Sequence, residues 1–363
     1  MRSALAFSLA LSAAPAFATP PPMASLTLPA GFHIAVWTDQ VPDAREMALG
    51  TKNTVFVGSR DAGKVYAVSY AADGRVEKIR TVASGLQLPV GVAFHNGDLY
   101  VSAVNRIYVL RDLENHLDTP PKPELVTDKL HTETAHGWKF IAFGPDDKLY
   151  VPVGAPCNIC DRGDEGFAQL WRMNPDGTGA ETVAKGIRNT VGFDWRPSDK
   201  SLWFTDNGRD MLGDDLPSDE LNHVTKTGEH FGYPYCHQGD TPDPEFGKGK
   251  DCKSFTPPVL KLGAHVAALG MRFYDGKQFP AAYRGAAIIA EHGSWNRTAK
   301  SGYRVMSVRF NGNKVASYEP LVEGFLKGEK VSGRPADVQP LPDGSLLISD
   351  DDNGAIYRVT YKN

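Results

Sequence analysis

The stretch Phe140-Ile141-Ala142-Phe143-Gly144-Pro145-Asp146-Asp147-Lys148-Leu149-Tyr150-Val151 sets two short apolar runs on either side of a polar turn. β-Branched and aromatic residues in these runs are typical of strands, and Gly, Pro and Asp favour tight turns. A third apolar segment, residues 169–173, ends the unit. We therefore predict a small β-sheet over residues 140–173.

The same unit recurs five more times along the chain. Each copy joins two apolar strands through a polar turn and ends with a third strand; the copies span residues 47–68, 91–110, 191–224, 271–308 and 336–359. Repeats of this kind are typical of propeller blades, whereas a solenoid would show shorter and more uniform repeats. One such sheet cannot bury both of its faces, but a closed ring of sheets can. The sequence predicts an all-β, six-bladed β-propeller in a single domain, residues 19–363, with inserted loops around residues 208–263.

The composition is that of an ordinary globular protein. The 363 residues carry a net charge of −4, with 41% hydrophobic and 23% charged residues. Nucleic-acid binding would require a basic face, and the sequence shows no block of positive charge. Positive residues that matter for function must therefore act singly, inside a pocket.

The N-terminus resembles a secretory signal peptide, residues 1–18. Arg2 supplies the positive charge, residues 4–14 are apolar, and Ala16-Phe17-Ala18 gives the small-x-small cleavage pattern. A short buried helix is the alternative interpretation. No later stretch approaches the roughly 20 apolar residues that span a bilayer. We expect a periplasmic or secreted protein with no membrane span.

The four cysteines fit an oxidising compartment. Cys157 and Cys160 form a C-x-x-C pair, and Cys236 and Cys252 flank a loop rich in Gly, Pro and Asp. Four cysteines allow three connectivities, and we favour the two local pairs because each would close a loop. The alternative, a redox-active C-x-x-C, belongs at the start of a helix in a βαβ unit, whereas this pair follows a strand.

Residues that break the repeat pattern are candidates for function. His136 lies in a loop before the third copy and can accept a proton near neutral pH. Arg188, Arg297 and Arg334 lie in three other loops of the predicted ring. Because guanidinium groups pair with carboxylates bidentately, these arginines together predict a polyanionic ligand.

An acidic segment, residues 205–222, could bind a cation. It is rich in Asp and Asn, whose oxygens are ligands for calcium. It lacks the spacing of an EF-hand, so a solvated acidic loop is an equal alternative.

The motifs taken together give the chain a family resemblance. The marks are His136-Gly137-Trp138-Lys139, Cys157-Asn158-Ile159-Cys160, Gly186-Ile187-Arg188-Asn189, Asp206-Asn207-Gly208-Arg209, Asp219-Glu220-Leu221-Asn222, Phe231-Gly232-Tyr233-Pro234 and His292-Gly293-Ser294-Trp295-Asn296-Arg297. In order and spacing they resemble the soluble quinoprotein sugar dehydrogenases, especially the glucose/sorbosone dehydrogenase-like branch, over nearly the whole mature chain. The resemblance implies a six-bladed propeller that binds pyrroloquinoline quinone (PQQ), a flat ortho-quinone with three carboxylates.

The resemblance also implies roles for individual residues. The residues implied to contact PQQ are Arg188, Asn189, Arg297 and Arg334. His265 and Trp295 are implied to pack against its ring or to lie at the rim. Calcium would be held by the backbone carbonyls of Gly208 and Arg209 and would act as a Lewis acid on the quinone. His136 would take the hydroxyl proton of a sugar or polyol while hydride moves to the cofactor. The reaction would also need an external electron acceptor.

Two other functions use the same architecture. A metal-dependent lactonase would need a cluster of Glu, Asn and Asp side chains at the axis, and it would have no use for three rim arginines. A non-catalytic propeller that binds a glycan or a protein would keep its role after His136→Ala.

Overall fold

The computed structural model describes residues 22–362, which form a ring of six β-sheets around a central axis. The prediction of an all-β, six-bladed propeller is confirmed. The predicted signal peptide, residues 1–18, lies outside the described residues. Within residues 22–362, no helix is both long and apolar enough to cross a membrane.

The first half of the ring follows the chain in order. It begins with β1 (Phe32–Thr38), which precedes the first blade. Blade 1 contains β2 (Ala44–Leu49), β3 (Thr54–Ser59), β4 (Lys64–Tyr70) and β5 (Val76–Ser84). Blade 2 contains β6 (Val92–His95), β7 (Asp98–Ala103), β8 (Arg106–Leu110) and β9 (Glu124–Thr127). Blade 3 contains β10 (Ala142–Phe143), β11 (Leu149–Val153), β12 (Gln169–Met173) and β13 (Glu181–Lys185).

The second half contains the predicted insertion. Blade 4 starts with β14 (Phe193–Trp195), β15 (Leu202–Asp206) and β16 (Ser218–Val224). Three short strands, β17 (Glu229–His230), β18 (Cys236–His237) and β19 (Thr241–Pro242), precede the last strand of that blade, β20 (Leu260–Ala264). Blade 5 contains β21 (Ala268–Tyr274), β22 (Ala286–Glu291), β23 (Arg304–Asn311) and β24 (Lys314–Val322). A hairpin of β25 (Leu326–Lys327) and β26 (Lys330–Val331) leads to blade 6, with β27 (Pro335–Pro340), β28 (Leu346–Asp350) and β29 (Ala355–Tyr361). Short 3₁₀ helices cover Leu113–Asn115, Gly163–Glu165, Cys252–Ser254 and Ala281–Tyr283.

The ring is closed by the N-terminal strand. β1 pairs antiparallel with β29, with Phe32 opposite Tyr361, and so becomes the outer strand of blade 6. The sequence units contained only three strands, and this fourth strand comes from the other end of the chain. Closure in this way leaves no unfinished blade.

The turns have the residues that their backbone requires. In blade 2, Asn96 and Gly97 have φ of 51° and 92° and connect the paired residues His95 and Asp98. Asn and Gly tolerate this left-handed backbone, which suits a two-residue hairpin turn. In blade 3, Asp147 has φ 57° in the turn that the sequence predicted.

The core lies between blades rather than within them. Apolar side chains pack in clusters that each combine two neighbouring sheets; between blades 1 and 2, for example, Phe56 and Val65 pack with Leu99 and Val101. Buried hydroxyl groups also join blades, because Ser102 donates to the Lys139 carbonyl at 2.7 Å and Thr205 donates to the Leu269 carbonyl at 2.7 Å. These contacts fix the angle between adjacent blades.

A buried charge cluster lies on the axis. The Arg272 guanidinium is 3.6 Å from Asp337 and 3.9 Å from Glu46, and the nearby Asp194 accepts from the Phe273 N–H at 2.8 Å. Burial raises the pKa of each of these three carboxyl groups, against the lowering effect of Arg272. The positive charge of Arg272 therefore partly compensates three carboxyl groups at the centre of the ring.

Both predicted disulfides are confirmed. Cys157 pairs with Cys160, and Cys236 pairs with Cys252. The first bridge lies in the loop after β11, and the second joins β18 to a 3₁₀ helix in the insertion.

Candidate functional site

A cavity of about 290 Å³ lies at the end of the ring where loops enter the inner strands. It is lined by residues from several blades: Arg45, Arg60, His136, Trp138, Arg188, Asn189, Asn207, Gly208, Asp210, Asp219, His265, Ala267, Leu269, His292, Gly293, Trp295, Asn296 and Arg334. Of the predicted site residues, His136, Arg188, Asn189, Gly208, His265, Trp295 and Arg334 are brought together here. Arg209 and Arg297 are not in this lining.

The His136 imidazole is held in one orientation. Its Nδ1 donates to the Ala155 carbonyl oxygen at 2.7 Å, which leaves Nε2 as the unprotonated acceptor. Burial, together with the Arg188 charge, lowers the pKa of His136 to about 3. A Cβ at Gly154 would lie 2.7 Å from the His136 Cβ, so glycine is needed at that position. His136 is thus a neutral base at physiological pH.

The Arg188 guanidinium is buried and almost fully hydrogen-bonded. Nε donates to the Asn158 carbonyl at 2.9 Å, and Nη2 donates to the Asp210 carboxylate at 2.9 Å. The backbone is fixed as well, because Asp206 accepts from the N–H groups of Arg188 and Asn189 at 2.9 and 2.7 Å. Burial raises the pKa of Asp206 to about 7.

Arg334 reaches the cavity from the loop before blade 6. Its guanidinium donates to the carbonyls of His292 and Gly293 at 3.3 and 3.1 Å and lies 5.7 Å from the centre of the Tyr303 ring. Within residues 22–362 it forms no salt bridge. Its charge is therefore available to an anion in the cavity.

A network of Arg45, Asp351 and His292 was missed by the sequence reasoning. Asp351 accepts from Arg45 at 2.7 Å and from His292 Nε2 at 2.8 Å. Burial opposes ionisation of Asp351, but His292 and Arg45 hold its pKa well below the usual range. Burial lowers the pKa of His292 to about 4, against the raising effect of Asp351. Arg45 lies inside regular strand β2, where no loop motif could draw attention to it.

Arg60 and Asn296 were also missed. The Arg60 guanidinium lies 5.3 Å from the centre of the Trp138 ring, and its buried Nε has no hydrogen-bond partner within the described chain. Both side-chain atoms of Asn296 are likewise buried without a partner in residues 22–362. Unpaired buried donors in a cavity wall are costly unless a ligand or water satisfies them.

His265 and Trp295 lie on the wall and the rim. His265 Nε2 donates to the Gly213 carbonyl at 2.9 Å, which ties it to the loop after β15. The Trp295 side chain is 69% exposed at the mouth of the cavity. It can therefore contact a ligand only at the entrance.

Arg297 and Arg209 are engaged elsewhere. Arg297 donates to the Ala299 carbonyl at 2.9 Å and lies 3.5 Å from Asp215 on the outer loop. The Arg209 side chain forms a buried salt bridge with Asp243. Neither guanidinium group therefore lines the cavity.

The backbone carbonyls of Gly208 and Arg209 are the predicted calcium ligands. Neither carbonyl oxygen accepts a hydrogen bond from residues 22–362, and the Gly208 N–H donates to Asp219 at 2.8 Å. Carbonyl oxygens are ligands that calcium accepts. In the described part of the chain, no group of three or more His, Cys, Asp or Glu side chains is arranged to hold a metal ion.

The chain matches a known family and a curated relative over most of its length. The family described as TrAA12-like matches residues 26–362. An uncharacterized protein of Borreliella burgdorferi is 33% identical over 353 residues, which cover 93% of this chain and 91% of that one.

Solved structures share the fold. A calcium structure of the Trichoderma reesei Carbohydrate-Active Enzymes family AA12 protein superimposes with a TM-score of 0.83 at 20% identity, covering 94% of this chain and 98% of that one. The holo form of the pyranose dehydrogenase PQQ domain from Coprinopsis cinerea gives 0.79 at 18% identity, covering 94% and 98%.

Proposed function

The chain belongs to the TrAA12-like family, and on this basis we propose that it oxidises a sugar or related polyol with PQQ as hydride acceptor and calcium as Lewis acid. The observation that carries the proposal is a single cavity that combines a neutral histidine base with the guanidinium groups of Arg45, Arg60, Arg188 and Arg334. Further support comes from the related folds, one a PQQ domain of a pyranose dehydrogenase and one a calcium structure.

The residues of the cavity fit a flat trianion. Arg334 lacks an acidic partner within residues 22–362, and the buried Arg60 Nε and Asn296 amide lack hydrogen bonds there. PQQ carboxylates would supply acceptors for these donors. The free carbonyls of Gly208 and Arg209 would hold calcium, in keeping with its preference for oxygen ligands.

When bound, PQQ would supply a carbon that accepts hydride, and calcium would polarise that carbonyl. His136 would orient the substrate by accepting a hydrogen bond from its reacting hydroxyl group at Nε2. It would then take that proton as the substrate carbon is oxidised, while Ala155 keeps the ring in the productive tautomer. Trp295 at the mouth would cover one face of the sugar and exclude water.

The lactonase alternative has less support. It would need metal-ligating side chains at the axis, but among residues 22–362 the axial carboxylates Glu46 and Asp337 lie next to Arg272. The four guanidinium groups that line the cavity would also have no role in such a hydrolase. An anionic cofactor is the better match.

We propose a location outside the cytoplasm. The predicted signal peptide and the two disulfides, Cys157–Cys160 and Cys236–Cys252, support it, because disulfides persist in oxidising compartments.

Reconstitution tests the proposed function. Purified cofactor-free protein would be mixed with PQQ and calcium chloride, and PQQ binding followed by quenching of tryptophan fluorescence. Aldoses and polyols would then be screened with an artificial electron-accepting dye. We expect micromolar or tighter binding and sugar-dependent dye reduction that chelation of calcium abolishes. Folded protein that binds no PQQ at micromolar concentrations would refute the proposal.

A further inference from the structure

The segment from Ala155 to Cys160, which the Cys157–Cys160 disulfide closes at its end, contacts both candidate functional side chains. The preceding Ala155 accepts from His136 Nδ1 at 2.7 Å, and its N–H donates to the Arg188 carbonyl at 2.8 Å. Asn158, between the two cysteines, contacts the Arg188 guanidinium directly. This segment therefore links the base to the cationic group.

Asn158 fixes the plane of the guanidinium. Its carbonyl oxygen accepts from Arg188 Nε at 2.9 Å, and its side-chain Oδ1 accepts from Nη2 at 3.0 Å. The same amide joins the facing loop, because Oδ1 accepts from the Asp210 N–H at 2.7 Å and Nδ2 donates to the Asp210 carbonyl at 3.0 Å. Asp210 in turn accepts from Arg188 Nη2 at 2.9 Å.

These contacts leave one N–H group of Arg188 without an acceptor among residues 22–362. A guanidinium has five N–H groups. Nε uses one, Nη2 uses two on Asn158 and Asp210, and Nη1 uses one on the Asn207 carbonyl at 3.3 Å. A ligand in the cavity can accept a hydrogen bond from the remaining Nη1–H group. Its direction is set by the other four hydrogen bonds, and such preorganisation lowers the cost of binding.

The disulfide holds Asn158 in place. The Tyr233 hydroxyl accepts from the Cys160 N–H at 3.1 Å and lies 3.5 Å from the Cys157 sulfur. Ala155, Ala168 and Tyr233 pack beneath the loop as a small apolar cluster. Cys157, Asn158, Ile159 and Cys160 are only partly buried, so the bridge adds a covalent constraint to the hydrogen bonds that Asn158 and Tyr233 make in this loop.

We propose that Asn158 and the Cys157–Cys160 disulfide are positioning elements for Arg188, so that the affinity of the cavity for an anionic ligand depends on this bridge. The identity of the ligand in this inference rests on the proposed function. The positioning of the Arg188 guanidinium does not. Asn158 acts through Arg188 and need not touch the ligand.

The first test measures PQQ affinity in the presence of calcium. Asn158→Ala removes the Oδ1 acceptor, and loss of one hydrogen bond to a charged group predicts about tenfold weaker binding. We expect kcat at saturating PQQ to change much less. Asn158→Asp keeps the Oδ1 acceptor but loses the Nδ2 donation to the Asp210 carbonyl and adds a negative charge, so its affinity should also fall below that of wild type. As a matched control, Asn313→Ala removes an acceptor for Arg196, at 2.6 Å and away from the cavity, and should leave affinity unchanged.

The second test breaks the bridge. A dithiol reductant cleaves the S–S bond to two cysteine thiols and is itself oxidised to a cyclic disulfide. Cys157 and Cys160 are partly exposed whereas Cys236 is buried, so mild treatment should reduce the first pair first, which thiol labelling and mass spectrometry can verify. The reduced protein and the Cys157→Ser/Cys160→Ser variant should both show the affinity loss of Asn158→Ala.

A third readout needs no PQQ. In cofactor-free protein the Arg188 Nε–H should exchange slowly in ¹⁵N NMR, with the signal assigned by its loss in Arg188→Ala. Bridge removal or Asn158→Ala should speed that exchange. Unchanged exchange and unchanged affinity in folded variants would overturn the inference. If wild type binds no PQQ, the proposed function fails while the exchange result still decides the positioning role.

Discussion

The Nδ1 atom of His136 donates to the main-chain carbonyl of Ala155 at 2.7 Å. Because a carbonyl can only accept, this contact assigns the proton to Nδ1 and the lone pair to Nε2. The ring is thus oriented by backbone rather than by a carboxylate. Within residues 22–362 no acidic side chain is hydrogen-bonded to it, and burial together with the neighbouring Arg188 lowers its pKa.

Replacement of the proposed base should remove turnover and spare binding. We expect His136→Ala to lower kcat about 10²- to 10⁴-fold, because proton transfer to a positioned base contributes that much. PQQ affinity should stay within a few fold. Steady-state dye reduction and fluorescence titration measure the two quantities. His116→Ala, a change at an exposed histidine, is the control; equal losses in both variants would contradict the assignment.

Acid should destabilise the cofactor-free protein partly through His136. Its pKa is about 3 in the folded state against about 6.5 in the unfolded chain. As the pH falls below 6.5, His136 becomes protonated in the unfolded chain but stays neutral in the folded protein. The free energy of unfolding therefore decreases between pH 6.5 and 3. At pH 4.5 this amounts to roughly 2 to 3 kcal/mol. Urea unfolding of wild type and His136→Gln at pH 7.5 and 4.5 should show a smaller loss in the variant; identical losses would count against the shifted pKa.

Two arginines that look alike in sequence should differ in their effect on PQQ binding. Arg188→Ala should weaken affinity tenfold or more, since it removes a buried, oriented guanidinium from the cavity wall. Arg297→Ala should cost less, because that side chain is engaged with Ala299 and Asp215 outside the lining. Fluorescence titration at fixed calcium compares them. A larger loss for Arg297→Ala would mean that its loop rearranges to reach the ligand.

The axial cluster predicts a destabilising variant with a defined pH dependence. Arg272→Met should cost about 3–5 kcal/mol, because it leaves Glu46, Asp194 and Asp337 buried without their counter-charge. Loss of Arg272 raises the pKa of these carboxyl groups further, so the folded variant retains protons that the unfolded chain releases above about pH 4. The deficit should therefore grow from pH 5 to 8 in urea unfolding. As the control, Arg309→Met removes a partly exposed salt bridge with Glu319. It should lower the free energy of unfolding by no more than about 1 kcal/mol at pH 5 and at pH 8.

Most of the fold could be predicted because the repeat is local. Each unit carries its own strands and turn, as in residues 140–151, and the family that these motifs resemble is confirmed by the TrAA12-like match. The pairing of β1 with β29 could not be predicted, since Phe32 and Tyr361 lie at opposite ends of the chain and share no motif. Ring closure depends on contacts between residues that are far apart in the sequence.

The site was predictable only where a loop departs from the repeat. His136, Arg188 and Arg334 lie in such loops and share the cavity. Arg45 has the sequence context of an ordinary strand residue, so only the position of β2 on the axis reveals it. Arg297 lies in such a loop too, but its guanidinium donates to the Ala299 carbonyl and is not in the cavity lining.

The pairing of the first strand with the last has a consequence for synthesis. During synthesis β1 is made before β29, so this strand has no pairing partner until residues 355–361 have been added. The cavity needs Arg45 near one end of the chain and Arg334 near the other. A chain that stops before residue 334 therefore lacks part of the cavity wall and the partner strand of β1.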